Sequence, residues 1–140
     1  MSFDRFLHLP LPIALHLVFA LGALLLGPLV LWSRKGTPRH RAGGYVWVVL
    51  MLGAAITAIF IRDPRLPNIG GFTLIHLFVP LTFVGVAQGV WHAVHHRIEA
   101  HRKSMRGVYI GGCLVAGAFA LLPGRFLGTL LWRDLAGLMA

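Results

Sequence analysis

The chain has 140 residues, 57% of them hydrophobic and 12% charged, at a mean hydropathy of +0.77, where an ordinary soluble domain carries roughly 25% charged residues. A water-soluble globule is excluded. Thirteen Lys and Arg against four acids give a formal charge of +9, but these residues sit between long apolar runs, which is the distribution of a membrane protein and not of a nucleic-acid binder. The length suits a single membrane domain over 1–140. The one cysteine, Cys113, lies in an apolar run and excludes an intramolecular disulfide framework.

Crossing a hydrocarbon core of about 30 Å takes about 20 apolar residues in a helix. Residues 11–32, 44–61, 72–91 and 108–122 form four runs without Lys, Arg, Asp or Glu, the last short and extending back toward Ser104. They predict an all-α membrane protein, a four-transmembrane-helix bundle. The first apolar run is too long for a cleaved signal, and no A-x-A site follows it. Connections one and three carry Arg34, Lys35, Arg39, Arg41, Arg97, Arg102, Lys103 and Arg106 against Glu99. The other side has Arg5, Arg62, Arg65, Arg125 and Arg133, nearly balanced by Asp4, Asp63 and Asp134. Eight basic residues against five put the first set in the cytoplasm of a bacterial inner membrane and both termini in the periplasm. Two prolines and two glycines make 62–71 a short irregular outer loop. After Pro123 and Gly124, apolar residues at 126, 127, 130, 131, 135 and 138 predict an amphipathic helix over 124–139 in the outer interface, with Trp132 and Arg133 at headgroup level.

The halves 11–62 and 72–122 read as copies of one helical hairpin: His16 precedes His76 by 60 residues and His40 precedes His101 by 61. A parallel duplication of this kind places a pseudo-two-fold axis along the membrane normal. His16 and His76 then share a depth, about 6 to 8 Å below the outer edge at ~1.5 Å per residue. His40 and His101 lie a turn before the second and fourth runs, on the inner side.

An intramembrane histidine usually faces the bundle interior and serves as a ligand or a proton relay. Two facing histidines suit a haem iron, and His16 is followed at +4, +7 and +11 by Ala20, Ala23 and Gly27, small residues that leave room for one. Pro80, Phe83 and Ala87 hold those offsets after His76, near the Gly85 and Gly89 of GVAQG. The alternative is a histidine bonded to a neighbouring helix, with small residues serving close packing. His40 and His101, beside Arg41 and Arg102, are either a second ligand pair or interface residues; these arginines suit cofactor propionates, quinone oxygens or lipid phosphates. His92, His95 and His96, followed by Glu99, have the spacing of a zinc site on one helical face, but a solvated helix end is the better account, since nothing nearby completes a pocket. His8 receives no role. No paired acids, Ser-His-Asp order or phosphate-binding glycine loop occurs.

At WSRKGTPRHRAGGYVWVVLM, FTLIHLF, HRKSMRGVYIGGCLVAG and LPGR the chain resembles the small bacterial membrane proteins catalogued as domain of unknown function 2306, from about His16 to Arg125. That resemblance implies a multi-span inner-membrane protein and marks His16, His40, His76 and His101 as family-like positions, without bringing an activity. More distantly the arrangement is similar to cytochrome b561-type proteins, which hold two b haems by histidine pairs near opposite faces; here His40 and His101 depart from that pattern by lying at the edges of their runs. The expected function is a small b-type cytochrome or quinone-linked electron-transfer protein holding haem b, with His16 and His76 as the iron ligands. The alternative is an accessory subunit of a larger membrane complex or a homo-oligomer, using its glycine faces and terminal helix for contacts; a transporter comes third.

Overall fold

The computed structural model describes Asp4 and residues 7–62, 69, 70, 72–122 and 125–139. It is all-helical. Helix α1 spans Leu11–Trp32 and α2 Pro38–Phe60; a 3-10 turn, Leu74–Leu77, leads into α3, Phe78–Val94. Helix α4, Ile98–Val108, runs through a π-helical segment, Tyr109–Val115, into α5, Ala116–Ala120, and α6 is Phe126–Met139. Among the described residues three helical stretches are long and apolar enough to cross a membrane: Leu11–Trp32, Pro38–Phe60 and Leu74–Val94. The loop expected over 62–71 falls mostly on 63–68 and 71, outside the described residues.

Prolines set the helix boundaries. Pro38 occupies the first turn of α2, where its missing N–H removes no bond, and the Thr37 side chain accepts from the His40 N–H at 3.2 Å as the cap. The helix therefore starts six residues before the charge-free run does. Pro80 cannot donate to the His76 carbonyl and its ring crowds it, so the chain ahead of it winds as a tighter 3-10 turn. Helix α1 and α2 form one antiparallel hairpin and α3 and α4 another; α2 packs on α3, and α1 on the π segment. Leu11, Leu15, Val18, Leu21, Leu25 and Leu29 form one exposed stripe along α1, Leu25 at 72%. An apolar face of that extent belongs against lipid.

Pro28 sits inside α1. It leaves the Leu24 carbonyl without its helical donor, and the Tyr109 hydroxyl of the π segment supplies one at 3.0 Å. The Trp47 indole donates to the neighbouring Ala23 carbonyl at 3.1 Å. These two side chains, with Ala23, Met51, Val86, Met105 and Val108, make the buried core. A Cβ on Gly27 would run into the Tyr109 ring and meet Trp47 Nε1 at 3.2 Å. Ala23 and Gly27 thus admit Trp47 and Tyr109, and the room expected there for a cofactor is filled by the protein's own rings. Gly27→Ala is expected to destabilise the fold by about 1–3 kcal/mol, read as a lower denaturation midpoint in detergent.

The turn between α1 and α2 and the turn between α3 and α4 match. Gly36 (φ 82°) and His96 (φ 57°), 60 residues apart, are both left-handed, and α2 and α4 start 60 residues apart, at Pro38 and Ile98. A left-handed backbone costs an L side chain roughly 1–2 kcal/mol. His96→Gly should therefore be neutral within about 0.5 kcal/mol, since relieved strain offsets glycine's entropy. The β-branched His96→Val should lose about 1–2 kcal/mol in the same denaturation assay.

Candidate functional site

The ends of α1 and α3 and the starts of α2 and α4 gather at one end of the molecule, the basic end, with Lys35, Arg41, Arg102 and Arg106. The opposite, distal end carries the start of α1, the end of α2, the 3-10 turn and the first half of α6. A cavity of about 620 Å³ lies at each end. The core divides them: Met51 lines the distal cavity, and Trp47, Met105 and Tyr109 line the basic one.

His40 and His101 meet in the basic cavity, their ring centres 6.1 Å apart and ring planes at 87°. The Ser33 hydroxyl donates to the Val30 carbonyl at 2.7 Å, so its oxygen is free to accept from His40 Nδ1–H at 2.8 Å, with the Val30 carbonyl 3.2 Å from the same nitrogen. His101 Nδ1–H donates to the Gly89 carbonyl at 2.8 Å. Carbonyls only accept, so both rings carry their proton on Nδ1 and keep the Nε2 lone pair. A ring held through Nδ1–H on a backbone oxygen, with Nε2 left over, is how metal-bound histidines are usually oriented. Two imidazoles sharing one metal ion through bonds of about 2.0 Å hold their ring centres roughly 6 Å apart. The centres of this pair lie close to that spacing, with the rings edge to face.

The surroundings are cationic. Lys35 Nζ donates to the Leu31 and Ser33 carbonyls at 2.8 and 3.3 Å, closing the end of α1. Partial burial, then the charges of Arg102 and Arg106, push its ammonium below the usual lysine range. Glu99 meets Arg102 at 3.3 Å from outside; no acid lines the cavity among the described residues.

His16 and His76 share the distal cavity but are held differently. His16 Nδ1–H donates to the Ala54 carbonyl at 2.8 Å, beside Thr57 Oγ1 at 3.2 Å, and its Nε2 has no partner among the described residues. His76 uses both nitrogens: Nδ1 accepts from the Thr73 N–H at 3.1 Å, and Nε2–H donates to the Ile61 carbonyl at 2.8 Å. At the basic end His40 and His101 each bond to the helix before their own; at the distal end His16 and His76 differ, because the Thr73 N–H and the Ile61 carbonyl take both nitrogens of His76.

Helix α3 stops at Val94, so His92 ends a helix while His95 and His96 lie in a turn. His95 stacks on Trp91 at 4.2 Å and donates to its carbonyl at 2.8 Å. No group of three or more His, Cys, Asp or Glu able to hold a metal ion occurs among the described residues. His8 donates to the Asp4 carbonyl at 2.6 Å. Gly85 and Gly89 take Val108 and Met105 of the same chain against them, so GVAQG is satisfied within its own hairpin. Helix α6 folds back at Gly128, where a Cβ would strike the Leu121 and Leu122 carbonyls, and the Trp132 indole donates to Leu121 at 3.0 Å. The side chains at 126, 130, 135 and 138 lie outside those described.

The model of a family described as "Predicted membrane protein (DUF2306)" matches residues 13–123, from the first histidine helix to the end of the last apolar run. The chain belongs to this family. No curated protein and no solved structure was found to match it. All four histidines of the two cavities fall inside the matched segment, while α6 falls outside it.

Sequence reasoning passed over Ser33, Trp47 and Tyr109 and counted Lys35 and Arg106 only as loop charges. A signal existed for two of them: a proline inside an apolar span orphans a carbonyl, and Tyr109 and Trp47 are hydrogen-bond donors within the apolar runs.

Proposed function

We propose that the chain is a small b-type cytochrome of the bacterial inner membrane, a quinone-linked electron-transfer protein whose haem b is held by His40 and His101. The observation that carries this reading is the pair itself: rings 6.1 Å apart, each fixed through Nδ1 and each with Nε2 unpartnered among the described residues. Lys35, Arg41, Arg102 and Arg106 supply positive charge for carboxylates at the same cavity. Trp32, Val48, Val90 and Ile110 supply apolar wall. A haem bound there would give the chain one-electron chemistry. His16 and His76 are the weaker ligand set, because His76 would have to give up a hydrogen bond before it could bind iron. The test is haem content by the pyridine haemochromogen assay on protein made with ample haem supply. The expected value is one b haem per chain; a folded protein that takes up none overturns the reading.

The same reading makes 98–120 a fourth membrane crossing, entered through an amphipathic first half, and makes the molecule a duplicated hairpin. The matched left-handed turns and helix starts support the duplication. The basic end faces the cytoplasm and both termini the periplasm, following the eight-to-five division of basic residues. A reporter fused after Ala140 should accordingly be active only as a periplasmic enzyme; cytoplasmic activity there would reverse the orientation.

A further inference from the structure

The distal cavity takes no part in the haem binding proposed for His40 and His101. Its geometry differs from that of the basic cavity in a way that specifies a ligand. The walls are built from Ala20, Ala54, Ala58, Gly112 and Ala116, which leave open volume instead of filling it. At about 620 Å³ it lies within the ~300–1,000 Å³ usual for small-molecule sites. His16 lies five residues into α1, about 7 to 8 Å along the helix. Its proton is committed to Ala54, so Nε2 is a bare acceptor on the cavity wall, with no partner among the described residues. An unpaired acceptor at hydrocarbon depth is costly, so the site calls for a donor. At the mouth Arg125 reaches the Thr73 hydroxyl at 3.4 Å, and Arg62 lies over the Phe72 ring at 4.9 Å.

We propose that the distal cavity binds the uncharged ring head of a membrane quinol, with His16 Nε2 accepting a hydrogen bond from a ring hydroxyl and Arg125 standing at the mouth. The choice of a redox-active head rests on the electron-transfer reading; the place rests on the cavity. Arg62, Arg125 and Arg133 line the same cavity, but a phosphate or carboxylate head held by them would still have to bury its charge among the alanines to reach His16. A ring hydroxyl on an apolar body reaches it without that cost. A diacylglycerol hydroxyl offers the same donor chemistry and is the other possible source.

The test is isothermal titration of the full chain, in detergent, with a decyl-tailed dimethoxybenzoquinol, and separately with dioctanoylglycerol. Saturable quinol binding is expected, weakened about tenfold by His16→Phe, which keeps the ring bulk but removes the acceptor. His16→Gln, whose amide oxygen accepts, should recover part of the loss. Ala58→Phe should weaken binding by filling the space, and Leu25→Ala on the lipid face should leave it unchanged. Binding that survives both His16→Phe and Ala58→Phe, absence of saturable binding, or equal binding of the glycerolipid overturns the assignment. A haem-containing protein that binds no quinol defeats this site alone. A colourless protein with His16-dependent quinol binding defeats the haem reading alone.

Discussion

Replacing either His40 or His101 by alanine is expected to abolish bound haem while leaving the protein in the membrane. On the proposed reading each ring would supply one nitrogen to the iron, their centres lying 6.1 Å apart, so one alone could not complete the set. Both side chains lie at the polar end of their helices and neither belongs to the buried core, so the fold tolerates their loss. His16→Ala and His76→Ala should keep full haem content, because those rings serve a different cavity. Haem content of the four purified variants checks this. If the distal variants lose haem and the basic ones keep it, the assignment of the two ends is inverted.

The second large effect is at Tyr109. Tyr109→Ala is expected to cost about 3–5 kcal/mol, since it empties a buried aromatic site and strands the Leu24 carbonyl that Pro28 has already deprived of its helical donor. Tyr109→Phe keeps the ring against Gly27 and loses only the hydroxyl, for about 1–2 kcal/mol. Restoring the helical donor with Pro28→Ala should make Tyr109→Phe nearly silent. The double-mutant cycle, read by denaturation in detergent, isolates that coupling. Additive losses would show that the hydroxyl does not stand in for the missing amide.

Much of the helical content is legible in the sequence because apolar run length and charge-free composition are local properties. Residues 11–32 coincide with α1, and the cap and first-turn proline at Thr37 and Pro38 mark the start of α2 once they are weighed alongside charge. The fourth helix is less legible. Its first turns, from Ile98, are the polar IEAHRKSMRGV, whose amphipathic spacing precedes the apolar run that begins at 108. What sequence does not contain is which faces meet. Depth arithmetic favours His16 with His76 over His40 with His101, which lie at the edges of their runs; it does not contain the Thr73 cap and the Ile61 carbonyl, which consume both nitrogens of His76. The stripe of Ala23 and Gly27 likewise reads as open space in one helix, and only the neighbouring α2 and π segment show that Trp47 and Tyr109 occupy it.

The most direct measurement of the central claim is the low-temperature electron paramagnetic resonance spectrum of the oxidised, haem-loaded protein. Ligation by His40 and His101 predicts a low-spin ferric signal. With ring planes near the 87° seen here, that signal should be of the strongly anisotropic kind that perpendicular imidazoles produce. A high-spin ferric signal, or no ferric haem signal from folded protein, would contradict the account.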